Sequence, residues 1–343
     1  AAALLNTRFY VATGRVLVRL LPDDQVAADV AVFAFTASPS LVFFGTQALK
    51  DAFFAGVVAA TCAAAWKLIG PSRLRSVLGP ATLCAGAGVL AGLALASSVR
   101  TYYAVFLWGG LAVALLGRAI FTRRTGTLAG RTRTLARTAV ALAWIALAWG
   151  VVAHFAGARY DTLAWRLVAG TAGPPPGVEA SLPAKTVEAL DEARGGFLRS
   201  GGATNAANAT VARDVPGRLR TVAEGSLLVF VPVAVLRPLG LVTFSGGRGL
   251  TGLADLDTLF TGASLLALGL LAWRRWRQGR LNVPYALFVV LVAGTTALAL
   301  AYVVTNFGTL FRLRLMVSVP GWMLALAMAR PGGPAERPGG VAA

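Results

Sequence analysis

Lys50 and Asp51 stand together at the start of one apolar run, Arg100 and Tyr102 open another, and Asn306, Arg312 and Arg314 lead into the last. Arginine presents a planar fork of donors that matches phosphate through paired, charge-assisted hydrogen bonds. A cation at a helix N-terminus opposes the helix dipole. Arg312 and Arg314 therefore each need an anionic partner: a protein carboxylate, a lipid headgroup, or a bound phosphate or pyrophosphate. The dipole favours Asp51 at a helix start, where a carboxylate can serve as acid, base or ligand contact. Plainer alternatives stand beside each reading. Asp51 can cap its helix and pair with Lys50, the arginines can snorkel to headgroups, and Arg100 with Tyr102 and Tyr103 can anchor a helix at the interface.

The elements that must position these residues are membrane helices. Of 343 residues, 57% are hydrophobic and only 13% charged, with a mean hydropathy of +0.69; a soluble domain carries about 25% charged residues. The apolar residues come in runs of about 20, enough for an α-helix to cross ~30 Å of hydrocarbon. The net charge of +18 resides mostly in arginines of short connectors. That is the positive-inside pattern together with attraction to anionic membrane lipids, and it argues against nucleic acid as a partner. Lysine is confined to Lys50, Lys67 and Lys185, while Arg, Ala, Gly and Val dominate. This composition points to a bacterial gene, and the expected location is the bacterial inner membrane. Cys62 and Cys84 fall inside spans and His154 is the one histidine, so no metal site and no cofactor is expected. The chain opens at Ala1 without an initiator methionine, and residues upstream of it are expected.

The expected fold class is all-α: a polytopic transmembrane helix bundle with one large external loop. About eight spans are expected, near 26–46, 51–69, 77–98, 102–121, 138–157, 256–273, 283–305 and 313–329. Pro39 should kink the first of them. A further apolar segment, 224–244, carries Pro232, Arg237 and Pro238 and reads as re-entrant or interfacial. Residues 1–21 mix Arg8, Arg15 and Arg19 with apolar side chains, as in an interfacial helix or the end of a span. The chain thus divides into N-terminal transmembrane helices (1–158), an external loop (159–222) with a short amphipathic helix near 183–198, C-terminal transmembrane helices (223–330) and a disordered tail (331–343).

Charge bias orients the bundle. The most basic short connectors are 117–137 and the stretch from Arg274 to Arg280. The positive-inside rule places both in the cytoplasm, which requires that 224–244 not cross. Asp51, Arg100, Tyr102, Asn306, Arg312 and Arg314 then share the outer side.

At these residues the sequence resembles a known group. The run from Ser38-Pro39 through Phe43-Phe44-Gly45 to Lys50-Asp51 resembles a "P-s-l-x-f-x-s-x-x-l-K-D/E" segment. Arg100-Thr101-Tyr102 is similar to an "R-x-Y" that opens a later span. Gly195 to Asn205 resembles a glycine-rich stretch of a large external loop, and Asn306 to Arg314 an "N-x-G-T-x-x-R-x-R". These motifs belong to bacterial polytopic glycosyltransferases of the dolichyl-phosphate-mannose type and to O-antigen or exopolysaccharide polymerase-like proteins. The order fits over roughly residues 30–330. The resemblance implies glycosyl transfer from a polyprenyl-phosphate-linked sugar at the outer face. It maps Lys50, Asp51, Arg100, Asn306, Arg312 and Arg314 onto the shared motif positions.

Two departures accompany it. An acidic residue in a first external loop, usual in lipid-donor glycosyltransferases of this architecture, is not visible before residue 26, and Val229 to Pro238 matches an aromatic-rich "P-F-P-W" segment only loosely. On this reading Arg100, Arg312 and Arg314 neutralise the lipid phosphate, with Lys50, Tyr102 and Asn306 as further substrate contacts. Asp51 is the candidate catalytic residue, activating or orienting an acceptor hydroxyl. The alternative is a non-catalytic structural or accessory subunit among other membrane subunits, which Gly/Ala-rich spans would suit. A transporter would require ionisable residues mid-span, for which Arg237 is the one candidate.

Overall fold

The computed structural model describes residues 7–8, 11, 25–45, 51–69, 79–121, 128–157, 190–196, 198, 214–240, 248–304 and 307–328. Among them the secondary structure is helix and turn, with no strand. The helices are α1 (Gln25–Ala37), α2 (Pro39–Gly45), α3 (Asp51–Ile69), α4 (Pro80–Phe121), α5 (Leu128–Gly157), α6 (Val215–Phe230), α7 (Val233–Leu236), α8 (Arg248–Arg277), α9 (Val283–Val303), α10 (Phe307–Leu313) and α11 (Leu315–Trp322). A 3₁₀ turn, Met323–Met328, follows α11. Helices satisfy every backbone donor and acceptor internally, which lipid demands. Among the described residues, seven stretches are long and apolar enough to cross a membrane: Gln25–Phe43, Pro80–Arg100, Tyr102–Ala119, Leu135–Phe155, Thr251–Arg277, Val283–Val303 and Thr309–Met328. The protein is a multi-pass helical membrane protein. The span expected over 51–69 is present as α3, but its apolar stretch, Phe53–Ile69, is shorter than those seven.

Three breaks shape the bundle. Ser38 separates α1 from α2, and Pro39 begins the second helix, where its missing N–H costs nothing. Arg314 separates α10 from α11. In α4 the backbone leaves helical geometry at Arg100 (φ −148°, ψ 83°). There the chain turns back on itself. Along α3, Ala64 and Thr61 lie against Gly88 and Gly92 and Asp51 meets Arg100. Phe54 and Leu68 instead meet Tyr103 and Arg118 beyond the break. The first half of α4 thus runs antiparallel to α3 and the second half parallel to it.

Helix α5 runs back along the second half of α4, where the Trp108 indole donates to the Ile145 carbonyl at 3.1 Å. It lies at the periphery, with 17% of its span buried, while 89% of Thr309–Met328 is buried at the centre. Helix α9 antiparallels the second half of α4: Tyr285 donates to the Cys62 carbonyl at 3.1 Å, and Gly110 packs on Phe288 and Val292. Gly279, with φ +66°, makes the tight turn from α8 into α9. Trp322, Tyr103, Tyr285, Phe35 and Phe288 fill the core. Helices from 1–158 and from 223–330 therefore share that core.

Within the segment expected to be re-entrant or interfacial, α6 starts earlier, at Val215, capped by the Asp214 side chain accepting from Gly217 N at 3.2 Å. The boundary expected at 222/223 falls inside it. At 16 residues, about 24 Å at 1.5 Å per residue, it ends short of a full span. The chain then breaks at Pro232, and Asp255 accepts from the N–H groups of Val233 and Ala234 at the start of α7. Gly225 lies against α9 so closely that a Cβ would sit 1.9 Å from the Ala301 carbonyl oxygen.

The bundle has two unlike ends. At one lie Arg118, in the last turn of α4 against the end of α3, and Arg274, Arg275 and Arg277, in the last turn of α8. Asp51, Arg100, Tyr302 and Arg312 lie at the other. Lys50, Asn306, the tail 331–343, most of 1–21 and most of the glycine-rich stretch lie outside the described residues. Of the amphipathic helix expected near 183–198, residues 190–196 are described and are helical.

Candidate anion-binding cavity

Asp51 begins α3, where the helix dipole favours its charge. The reversal in α4 brings Arg100 onto it, and Nη2 donates to Asp51 Oδ1 at 2.6 Å. From α10, Arg312 Nε stands 3.2 Å from Asp51 Oδ2, off the geometry of a hydrogen bond. Asp51 and Arg100 are buried, at 5% and 8% side-chain exposure, whereas Arg312 keeps 34%. Arg100 also donates to the Tyr102 hydroxyl at 3.3 Å and lies 5.5 Å from the centre of the Phe54 ring, within cation–π range.

Beside this cluster lies a cavity of about 810 Å³. Its walls come from α4 (Arg100, Tyr102, Phe106), α9 and the residue after it (Thr295, Leu298, Ala299, Leu300, Tyr302, Val303, Val304), α6 (Arg218, Val222), α10 (Thr309, Arg312, Leu313), and Leu190 and Ala193. The lining is mainly hydrocarbon, with three guanidinium groups. Among its described residues it holds no carboxylate and no imidazole. Asp51 stands behind Arg100 and Arg312 rather than in the wall.

The third guanidinium has its own carboxylate. Arg218 Nη2 donates to Asp191 Oδ2 at 2.6 Å. The Tyr302 hydroxyl donates to Asp191 Oδ1, and Arg194 donates to the Tyr302 carbonyl with its guanidinium 5.4 Å from that ring. Desolvation pulls Arg218 down, but the hydrogen bond and charge of Asp191 outweigh it and leave Arg218 above the ordinary arginine value. Burial pulls Arg194 below that value, with Tyr302 and Asp191 opposing.

Arg314 is elsewhere. It is 2% exposed and faces Asp257, itself 0% exposed, with Nη1 3.5 Å from Oδ2. It donates to Thr258, to the Ala254 carbonyl at 3.4 Å and to the Leu228 carbonyl at 3.3 Å. Asp257 accepts from Ser40 N at 3.0 Å and from the Ser38 hydroxyl at 3.3 Å, which caps α2. This pair ties the breaks in α1–α2 and α10–α11 to α8.

The structure therefore brings together Asp51, Arg100, Tyr102 and Arg312, and sets Arg314 apart. Asp191, Arg218, Tyr302 and Asp257 were missed by the sequence reading. Asp257 carried a signal, an acid inside an apolar run; Asp191 and Arg218 sit in a hydrophilic stretch where a charge is unremarked. Among the described residues no three His, Cys, Asp or Glu side chains converge as metal ligands would. Chemically, the cavity offers apolar walls for a hydrocarbon chain and fixed guanidinium donors for an anion, the arrangement that stabilises a phosphate or a phosphate leaving group. The chain matches no family model, no curated protein and no solved structure.

Proposed function

We propose that this chain is a membrane protein of the glycosyltransferase or polysaccharide-polymerase type that binds a polyprenyl-phosphate-linked sugar. The single observation that supports the reading most is the 810 Å³ apolar cavity with Arg100, Arg218 and Arg312 in its wall. The isoprenoid chain lies along α9 and the phosphate meets the three arginines of the wall, Arg100, Arg218 and Arg312. Asp51 fixes Arg100 and Arg312 in place and so acts as a positioning residue for the anion. With the basic connectors in the cytoplasm, the cavity opens at the outer face of a bacterial inner membrane.

The test is binding of farnesyl phosphate, with farnesol as the uncharged control, to the full chain in phosphatidylcholine nanodiscs. Micromolar binding of the phosphate and at least tenfold weaker binding of farnesol is the expected result. Equal affinity for the two would overturn the reading, because the arginines would then contribute nothing.

A second reading, a non-catalytic accessory subunit that holds the same lipid, is favoured by one observation. No carboxylate or imidazole lines the cavity among the described residues, and both Asp51 oxygens face guanidinium groups. Sugar transfer from a polyprenyl-phosphate donor by the purified chain decides between the two.

A further inference from the structure

Asp191 is placed unlike Asp51 and Asp257. Asp51 lies behind its arginines, 5% exposed, and Asp257 is enclosed. Asp191 is 19% exposed, and its partner Arg218 is 28% exposed. Both of its partners, Arg218 and Tyr302, line the cavity. One oxygen accepts from Arg218 Nη2 at 2.6 Å and the other from the Tyr302 hydroxyl. A two-oxygen anion held by a guanidinium and a phenol at a cavity wall is the contact that a phosphate ester would make there.

We propose that the Asp191 carboxylate is an internal stand-in for the ligand's anion: it occupies Arg218 and Tyr302 while the cavity is empty and is displaced when an anionic amphiphile binds. The proposal rests on the reading of the cavity as a lipid-phosphate site. Only the Asp191 side chain has to move. Arg194, fully buried and bound to the Tyr302 carbonyl, keeps 190–196 seated on α9. The displacement exchanges one charged hydrogen bond for another, so its net cost is small compared with opening an unpaired arginine. It also gives selectivity, because an uncharged amphiphile cannot replace the carboxylate and leaves Arg218 occupied.

Internal competition has an unusual sign. Removing the competing charge must strengthen binding, whereas removing a structural contact weakens it or leaves it alone. The experiment compares farnesyl phosphate affinity of the wild-type chain, Asp191→Asn and Arg218→Gln in phosphatidylcholine nanodiscs. Asp191→Asn is expected to bind about tenfold more tightly and Arg218→Gln about tenfold more weakly, the size of one charged hydrogen bond. Farnesol should not distinguish Asp191→Asn from wild type. Equal or weaker phosphate binding by Asp191→Asn overturns the proposal while leaving the cavity reading intact. Wild type that binds no farnesyl phosphate defeats the cavity reading itself. If phosphatidylglycerol shows the same gain as the isoprenoid phosphate, the stand-in holds and the site takes anionic lipid generally. A second measurement covers failure of the variant to fold. Carbodiimide labelling of Asp191 in the wild-type chain should rise with farnesyl phosphate and not with farnesol; unchanged or reduced labelling contradicts displacement.

Discussion

Arg312 and Arg314 are two residues apart in the same motif, and they meet opposite environments. Arg312 ends α10 at the cavity, a third of its side chain exposed, loosely facing a carboxylate that Arg100 already holds. Arg314 sits in the break before α11, almost wholly enclosed and surrounded by acceptors from α6 and α8. The first is a charge left partly available to a ligand. The second is a charge consumed by the fold. A spacing that looks like one binding motif is thus split by a single helix break into a site residue and a structural one. Burial of the arginine itself, 34% against 2% exposed, more than that of its partner carboxylate, 5% against 0%, marks which is which.

The sharpest way to break this comparison is Arg314→Gln. It leaves Asp257 ionised without a counter-charge at 0% exposure, a loss of about 3–5 kcal/mol. The folded yield and the thermal midpoint in detergent should fall steeply. The double variant Arg314→Gln/Asp257→Asn should recover part of that loss. A single variant as stable as wild type would mean that the pair is not buried as described.

Arg312→Gln should do the reverse. Its ion pair is partly exposed, so stability should change by no more than about 1 kcal/mol, while farnesyl phosphate affinity falls about tenfold. Raising salt should weaken the wild-type ligand affinity and leave the contribution of the enclosed pair nearly untouched. If Arg312→Gln and Arg314→Gln lower stability alike, the distinction between the two arginines fails.

The smallest effect belongs to Tyr102→Phe. It removes the hydroxyl that accepts from Arg100 at 3.3 Å and should cost about 0.5–1.5 kcal/mol, read as a threefold to tenfold loss of ligand affinity with the thermal midpoint held. A loss of stability without a loss of affinity would assign the Tyr102 hydroxyl to the fold instead, through its hydrogen bond to Met316 Sδ at 3.6 Å.

The helical class, the break at Ser38-Pro39 and the separation of spans at Arg100 were legible because each follows from local chemistry. Apolar runs of span length, a proline and a charge between two apolar runs are all signals that act within a few residues. The meeting of Asp51 with Arg100 was legible only as a shared side of the membrane. Their contact depends on the α4 reversal, 49 residues from Asp51, which no local pattern encodes. The fate of Arg314 was not legible because Asp257, though conspicuous as an acid inside an apolar run, is 57 residues away, and no local pattern pairs the two. Asp191, Arg218 and Tyr302 come from three different segments, and charge counting treats the first two as ordinary solvated residues. The start of α6 was displaced because Asp214 and Pro216 open a helix in a stretch that reads as hydrophilic.

The reversal at Arg100 also bears on how the protein enters its membrane. Pro80–Arg100 and Tyr102–Ala119 are separated by a single residue, so no extramembrane connector exists there for a receptor, a protease or a reporter tag to engage. The two spans must partition into lipid as one hairpin, with a guanidinium at its tip. An isolated arginine at that tip resists transfer into lipid; folded against Asp51 it travels as a matched pair. Assembly of α3 with the hairpin therefore belongs to the insertion step itself, and a variant lacking Asp51 should be caught by quality control in biogenesis before any ligand is met.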